Sequence, residues 1–140
     1  MTILQAITDV LKVSVPNYEL IYDEAKMINI KVDELSADDK FCYIEELREG
    51  KYTTDKYFKK KSMTMQIYFC QFEQINVDAI DREEKRNAIE AEAVEPFIAA
   101  YEASGIFGKV TEWKLSYPVC RFDANEINVM LSFNCSIVTC

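Results

Sequence analysis

The stretch EINVMLSFNCSIV, residues 126–138, alternates apolar and polar side chains along its whole length. Successive side chains of a β-strand point to opposite faces of the sheet, so a period of two predicts a strand. One set of alternate positions is apolar, namely Ile127, Val129, Leu131, Phe133, Cys135 and Ile137. The other set is mostly polar, namely Asn128, Met130, Ser132, Asn134 and Ser136. The pattern therefore predicts a long strand with one face on a hydrophobic core and one face half exposed.

The segment before this strand predicts its antiparallel partner. The sequence DAN at residues 123–125 is typical of a tight turn, and KVTEWKLSYPVCRF at residues 109–122 precedes it. Pro118 has no N–H to donate to a sheet ladder, which favours an edge strand or a bulge. We expect a C-terminal β-hairpin.

Three further strands are predicted upstream, over residues 28–33, over FCYIEEL at 41–47, and over SMTMQIYFCQF at 62–72. The third of these carries bulk on both faces, with Met65, Ile67 and Phe69 on one of them. Bulk on both faces indicates a central strand covered on both sides, or an outer face buried by a partner. Residues 48–61 are interpreted as a charged connection with Gly50 at its turn.

Two helices are predicted from apolar residues at helical spacing. The first runs from about residue 2 to 13, with Thr2 as its cap and Pro16 at its end. The second lies within residues 79–104, with Asp81 and Glu84 at the spacing of a capping pair and Gly105 as the C-cap. Pro96 predicts a kink or break near residues 92–96.

The order of elements predicts an α+β fold in a single domain of residues 1–140. We expect a mixed or antiparallel sheet of about five strands, an N-terminal helix, and a second helix before the C-terminal hairpin. A chain of 140 residues is long enough to bury a sizeable core.

The charge balance limits the classes of function. The chain has 16 basic and 24 acidic residues, a formal net charge of −8. Domains that bind nucleic acid through phosphate neutralisation usually carry a basic face, so this balance disfavours that class, and it disfavours anionic membranes too. An acidic surface either meets a basic partner or repels a polyanion that passes nearby.

The residue inventory disfavours catalysis, metals and cofactors. There is no histidine, and the glycines are Gly50, Gly105 and Gly108, which form no phosphate-binding loop. The five cysteines lack zinc-site spacing, and we interpret them as free thiols in a reducing compartment. The N-terminal MTILQAITDVLKV lacks the pattern of a signal peptide, and no stretch is long and apolar enough to span a membrane, so we expect folding in cytoplasm.

A cationic cluster interrupts this acidic chain. Lys59, Lys60 and Lys61 come directly before a strand-forming run. Such lysines act as gatekeepers that suppress mispairing of a strand, or they form a contact with an acidic surface of another subunit. For the second interpretation the candidate subunit-interface residues are Lys59, Lys60 and Lys61 together with Glu90, Glu92 and Glu95 of the acidic helix.

The element order over essentially the whole chain resembles the tail-terminator and tail-completion proteins of bacteriophage necks. The features that carry it are a short amphipathic N-terminal helix, three strands with a long charged segment before the third, an acidic helix and a closing hairpin. The resemblance implies a homo-oligomeric ring at the junction of the tail with the head-side connector, with connector and tail proteins as partners. It implies that DNA passes through the ring without specific binding, and it implies no catalytic residue and no cofactor.

An alternative from another class fits the same composition. A small acidic cytoplasmic α+β protein is also typical of an inhibitor or immunity protein, which blocks a basic toxin or nuclease by charge complementarity.

Overall fold

Two fourteen-residue strands form the centre of the fold in this computed structural model, which describes residues 2–21, 40–45, 50–54, 59–72, 79–118 and 126–139. The elements in chain order are α1 (Ile3–Ser14), β1 (Glu19–Ile21), β2 (Lys40–Ile44), β3 (Gly50–Thr54), β4 (Lys59–Phe72), α2 (Ala79–Ile89), a π-helical turn (Glu90–Val94), α3 (Glu95–Ser104), β5 (Lys114–Ser116) and β6 (Glu126–Thr139). The strand predicted over residues 28–33 lies outside the described residues.

The described strands form one sheet of six in the order β1-β2-β4-β6-β5, with β3 as an additional partner of β4. β4 pairs antiparallel with β6 over its full length, from Lys59 opposite Thr139 to Phe72 opposite Glu126. The other edge of β4 is shared, because β2 pairs with its second half and β3 with its first residues. β1 is parallel to β2 and the remaining pairs are antiparallel, so the predicted mixed α+β fold is confirmed.

The alternation in β6 places its apolar face on the core, as predicted. Val129 and Leu131 have no exposed surface, and Phe133 has 4%. Their partners on β4 are Phe69, Ile67 and Met65, which are also fully buried. The helices cover this face through five residues of the predicted helical stripe, namely Ile89, Ala93, Val94, Phe97 and Tyr101.

The opposite face of the sheet is buried beside β2 and partly exposed further along. Tyr68 and Cys70 of β4 are buried there, beside Phe41 and Tyr43 of β2. Further along the same face, Thr64 and Asn134 are exposed. β4 is therefore a central strand, as predicted, but both of its faces are covered only in its second half.

Helix α1 agrees closely with its prediction. The side chain of Thr2 accepts a hydrogen bond from the backbone N–H of Gln5 at 3.0 Å, which caps the helix. Ile7 and Leu11 on the inner face of the helix are buried, and the helix ends at Ser14, before Pro16.

Near Pro96 the predicted kink or break takes the form of a π-helical turn, and helical backbone continues from α2 through this turn into α3. A proline lacks the N–H that would donate to the carbonyl of residue 92, and its ring would collide with that carbonyl in an α-helix. The chain widens into the π-helical turn one residue earlier, where the N–H of Glu95 donates to the carbonyl of Glu90. The end of α3 is also as predicted, because Gly105 has a left-handed φ of 72°.

Two local predictions are wrong. Helix α2 begins at Ala79, so Asp81 lies in its first turn rather than at the cap. Residues 48–61 contain a hairpin rather than a connection without regular structure, because residues 50–54 form β3 and Lys59–Lys61 open β4. Tyr and Thr residues favour strands, and β6 supplies a ladder on the other side of the lysines.

Leu131→Ala should lower the free energy of unfolding by about 2–5 kcal/mol, since it leaves a cavity in a fully buried layer. Ser132→Ala is the matched control, because Ser132 follows Leu131 in the same strand and is only half buried on the opposite face. Urea unfolding followed by circular dichroism measures both, and equal losses at the two positions would contradict this assignment of faces.

Denaturation without a reductant should release five reactive thiols, and the native protein should react far more slowly. Cys42, Cys70 and Cys135 are free and buried. Burial raises the pKa of Cys42 to about 12 and raises that of Cys70 well above its ordinary value, so neither supplies thiolate near neutral pH. A thiol titration checks the count, and a reproducible deficit of two would reveal a disulfide between Cys120 and Cys140, which lie outside the described residues.

Candidate functional site

The hairpin of β3 and the first residues of β4 is the most exposed part of the described sheet. All five residues of β3 are exposed, and its partner segment pairs Tyr52 with Lys61 and Thr53 with Lys60. The other edge of this β4 segment is paired with β6, so the lysines are held in a three-stranded ladder. The lysines therefore lie in a strand that is paired on both edges, rather than in the charged connection that the sequence predicted.

Tyr52 and Lys61 form a pair on one face of this hairpin. The Lys61 ammonium lies 5.9 Å from the centroid of the Tyr52 ring, within the range of a cation–π interaction. Tyr52 is nevertheless 69% exposed, far more than a tyrosine that packs against its own chain. Lys51 is exposed as well, and its neighbour in the ladder is Ser62. Successive strand residues point to opposite faces, so one face of the hairpin carries the exposed Tyr52 ring with Lys61, and the other face carries Lys51 and Lys60.

Glu92, a candidate interface residue, is engaged inside its own subunit. Its Oε1 atom accepts hydrogen bonds from the Tyr18 hydroxyl and from the Lys40 ammonium, each at 2.7 Å. Lys40 also lies 5.9 Å from the centroid of the Tyr18 ring. The three side chains tie the segment after α1 and the first residue of β2 to the π-helical turn. A lysine from another subunit would have to compete with Lys40 for this carboxylate.

The Tyr18 phenol and the Glu92 carboxyl shift each other's pKa. Burial raises the pKa of Tyr18, and its hydrogen bond to Glu92 raises it further. Burial also acts to raise the pKa of Glu92, but the hydrogen bonds from Lys40 and Tyr18 outweigh it, so the net shift is downward. Glu92 is therefore an ionised acceptor at neutral pH, held by two donors.

Glu90 and Glu95 have different environments. Glu90 accepts a hydrogen bond of 2.5 Å from the Tyr117 hydroxyl, and this bond is the main reason that the pKa of Tyr117 is raised. The Arg86 guanidinium lies 5.2 Å from the Tyr117 ring. Glu95, by contrast, is exposed. Within the described part of the chain, Lys60 and Lys61 form no ion pair with any of these glutamates, so the two candidate surfaces stay separate in one subunit.

Sequence reasoning missed the partners of these glutamates. Tyr18 and Lys40 lie 74 and 52 residues from Glu92 along the chain, and Tyr117 lies 27 residues from Glu90. No local spacing connects such residues. The sequence carried only an indirect signal, since Pro96 predicts an irregularity of the helix close to Glu92.

An apolar cavity of about 260 Å³ lies between α1 and α3. It is lined by Ala6, Asp9, Val10, Val13, Ala100, Ser104 and Ile106. Val13 is 80% exposed and Ile106 is 46% exposed, so the cavity opens to the surface between two large apolar side chains. Asp9 is exposed and is the one carboxylate among the lining residues. Nothing in the sequence pattern predicted this cavity, because its lining comes from two helices separated by most of the chain.

The described residues show neither a metal centre nor a membrane-spanning helix. No group of three or more His, Cys, Asp or Glu side chains in the described ranges is arranged to hold a metal ion. Within the same ranges no helix combines the length and apolarity needed to cross a membrane.

A scan against protein-family models and a search of curated proteins found no match to this chain.

Glu92→Gln should destabilise the protein at neutral pH by about 1 kcal/mol or less, since the cluster is partly exposed and solvent screens it. A carboxyl with a lowered folded-state pKa stabilises the fold above its unfolded pKa of about 4.3 and loses that contribution as pH falls through the folded value. The difference between wild type and variant should therefore shrink below about pH 4.

Urea unfolding at a series of pH values measures this difference, with Glu95→Gln as the control because Glu95 is exposed on the same helical segment. A Glu92→Gln deficit that stays constant from neutral pH to pH 3 would contradict the ionised cluster.

Proposed function

We propose that this chain is a structural subunit of a bacteriophage neck or tail. In this role it forms a ring between the head-side connector and the tail, through which DNA passes. It would be made in host cytoplasm and would reside in the virion, with connector and tail proteins as its neighbours. The proposal includes no catalytic activity and no cofactor.

The observation that carries the proposal is the cationic hairpin on an acidic chain. The net charge is −8, yet the hairpin presents Lys61 on one face and Lys51 and Lys60 on the other. A surface of one sign on a chain of the other sign is complementary to a different surface of the same chain. Such a contact is heterologous, and repeated heterologous contacts generate closed rings or open filaments.

The resemblance in element order supports the location of such a ring. A channel for DNA works best when its wall does not hold phosphate groups, and an excess of acidic residues repels a polyanion. The hairpin lysines are used in contacts between subunits in this proposal, which removes part of the positive charge from the surface that DNA meets.

The first test is direct. The purified chain should form rings in negative-stain electron micrographs, and antibodies against it should label the neck or tail of the assembled particle. Absence of the chain from particles, together with one-to-one binding to a basic toxin encoded beside it, would contradict the proposal and support the inhibitor alternative.

Lys60→Glu combined with Lys61→Glu should prevent ring formation and leave the circular dichroism spectrum unchanged. Like charges would then face each other across the contact, and the wild-type contact should weaken as salt screens it beyond a Debye length of about 8 Å. The matched control is Lys109→Glu with Lys114→Glu, which makes the same change in net charge at two exposed lysines outside the hairpin.

Light scattering at low and high salt, and incorporation into particles, provide the two measurements. Normal assembly of the hairpin variant would leave these lysines as gatekeepers of β4.

A further inference from the structure

Two features of the surface suit each other as an aromatic anchor and an apolar pocket. Tyr52 is an aromatic ring that its own subunit leaves 69% exposed on the β3–β4 hairpin. The cavity between α1 and α3 is an apolar opening that the described side chains leave unfilled. None of the residues that line the cavity belongs to the hairpin, so Tyr52 does not occupy the cavity of its own subunit.

The cavity has the right size for the ring. Its volume is about 260 Å³, and an apolar cavity of about 150 Å³ is enough to hold benzene. A phenol ring inserted edge-first would bury its apolar carbons against Val10, Val13 and Ala100, while its hydroxyl could stay at the wet rim. Aromatic anchors in such pockets supply much of the binding energy of protein interfaces.

The charges beside the two features also match. Lys61 accompanies Tyr52 at 5.9 Å, and Asp9 is the carboxylate of the cavity lining. Insertion of the ring would bring this cation toward that anion. An unpaired lysine driven into an apolar opening would be costly, so the presence of Asp9 favours an occupant that carries a cation next to its ring.

We propose that Tyr52 of one subunit inserts into the cavity between α1 and α3 of a second copy of this chain, and that Lys61 then pairs with Asp9 of that copy. This inference rests on the proposed function, since it specifies the contact that joins neighbouring subunits in the proposed ring. The donor and acceptor surfaces are different, so each subunit offers one ring and one cavity, and the contact is heterologous.

Two variants separate the halves of the contact. Tyr52→Ala removes the ring and leaves the cavity open. Val13→Lys places a cation at the mouth of the cavity and leaves the ring intact, and it should not disturb folding because Val13 is 80% exposed near the C-terminal end of α1. Ile80→Ala and Ile80→Lys are matched controls, since Ile80 is a helical residue with the same 69% exposure as Tyr52.

Sedimentation equilibrium up to millimolar protein measures self-association, with circular dichroism as the folding control. Each variant alone should associate at least about thirtyfold more weakly than wild type, as expected for the loss of an interface hot spot. Both Ile80 variants should associate normally. An equimolar mixture of Tyr52→Ala and Val13→Lys should form one-to-one dimers and nothing larger. In each pair the Val13→Lys chain supplies the one intact Tyr52 side chain, and the Tyr52→Ala chain supplies the one intact cavity.

The outcomes distinguish this contact from the proposed function. If Tyr52→Ala and Val13→Lys still form rings of subunits like the wild type, the proposed function stands and the contact is wrong. If the mixture gives one-to-one dimers but the wild type forms only open filaments and is absent from particles, the contact stands and the neck function is wrong. A wild type that stays monomeric throughout the concentration range overturns the contact.

Discussion

The ladder between β4 and β6 is the constraint on which the rest of the structure depends. Fourteen residue pairs fix both strands in one register, and a slip by one residue would turn every apolar side chain to the other face. The helices pack on the face that this register selects, and Phe97 of α3 lies 6.0 Å from Phe133 of β6 between ring centroids. Every other described strand joins the sheet through β4 or β6, apart from β1, which joins through β2.

The same ladder explains how the hairpin can extend away from the core. β3 is exposed at every residue, and a two-stranded ribbon alone is marginally stable in water. Here the strand is held by β4, and that part of β4 is held in turn by the last residues of β6, with Lys61 opposite Ile137. The third strand stabilises the hairpin, so Tyr52 and the lysines are presented without help from the helices.

Features that depend on residues close together along the chain could be predicted from the sequence, and features that join distant segments could not. Alternation in β6, the Thr2 cap, the irregularity near Pro96 and the helix end at Gly105 depend on neighbours within a few residues, so the sequence contained the information. β3 was missed because its exposed residues have no apolar face, and pairing with β4 defines it. The candidate site was predictable only in the position of its lysines. The Glu92 cluster and the α1–α3 cavity join segments that are distant along the chain, and only the tertiary fold brings them together.

The chain order of the central pair has a consequence for how the protein is made. Thr64 and Asn134, which face each other across the ladder with their side chains 3.2 Å apart, are 70 residues apart in sequence. Contacts of such long range form slowly, because much of the chain must be ordered before they contribute. During synthesis β4 therefore emerges well before β6, with the apolar side chains of Met65, Ile67 and Phe69 still lacking their partners. In that interval the adjoining lysines would protect a nascent strand from association with other chains.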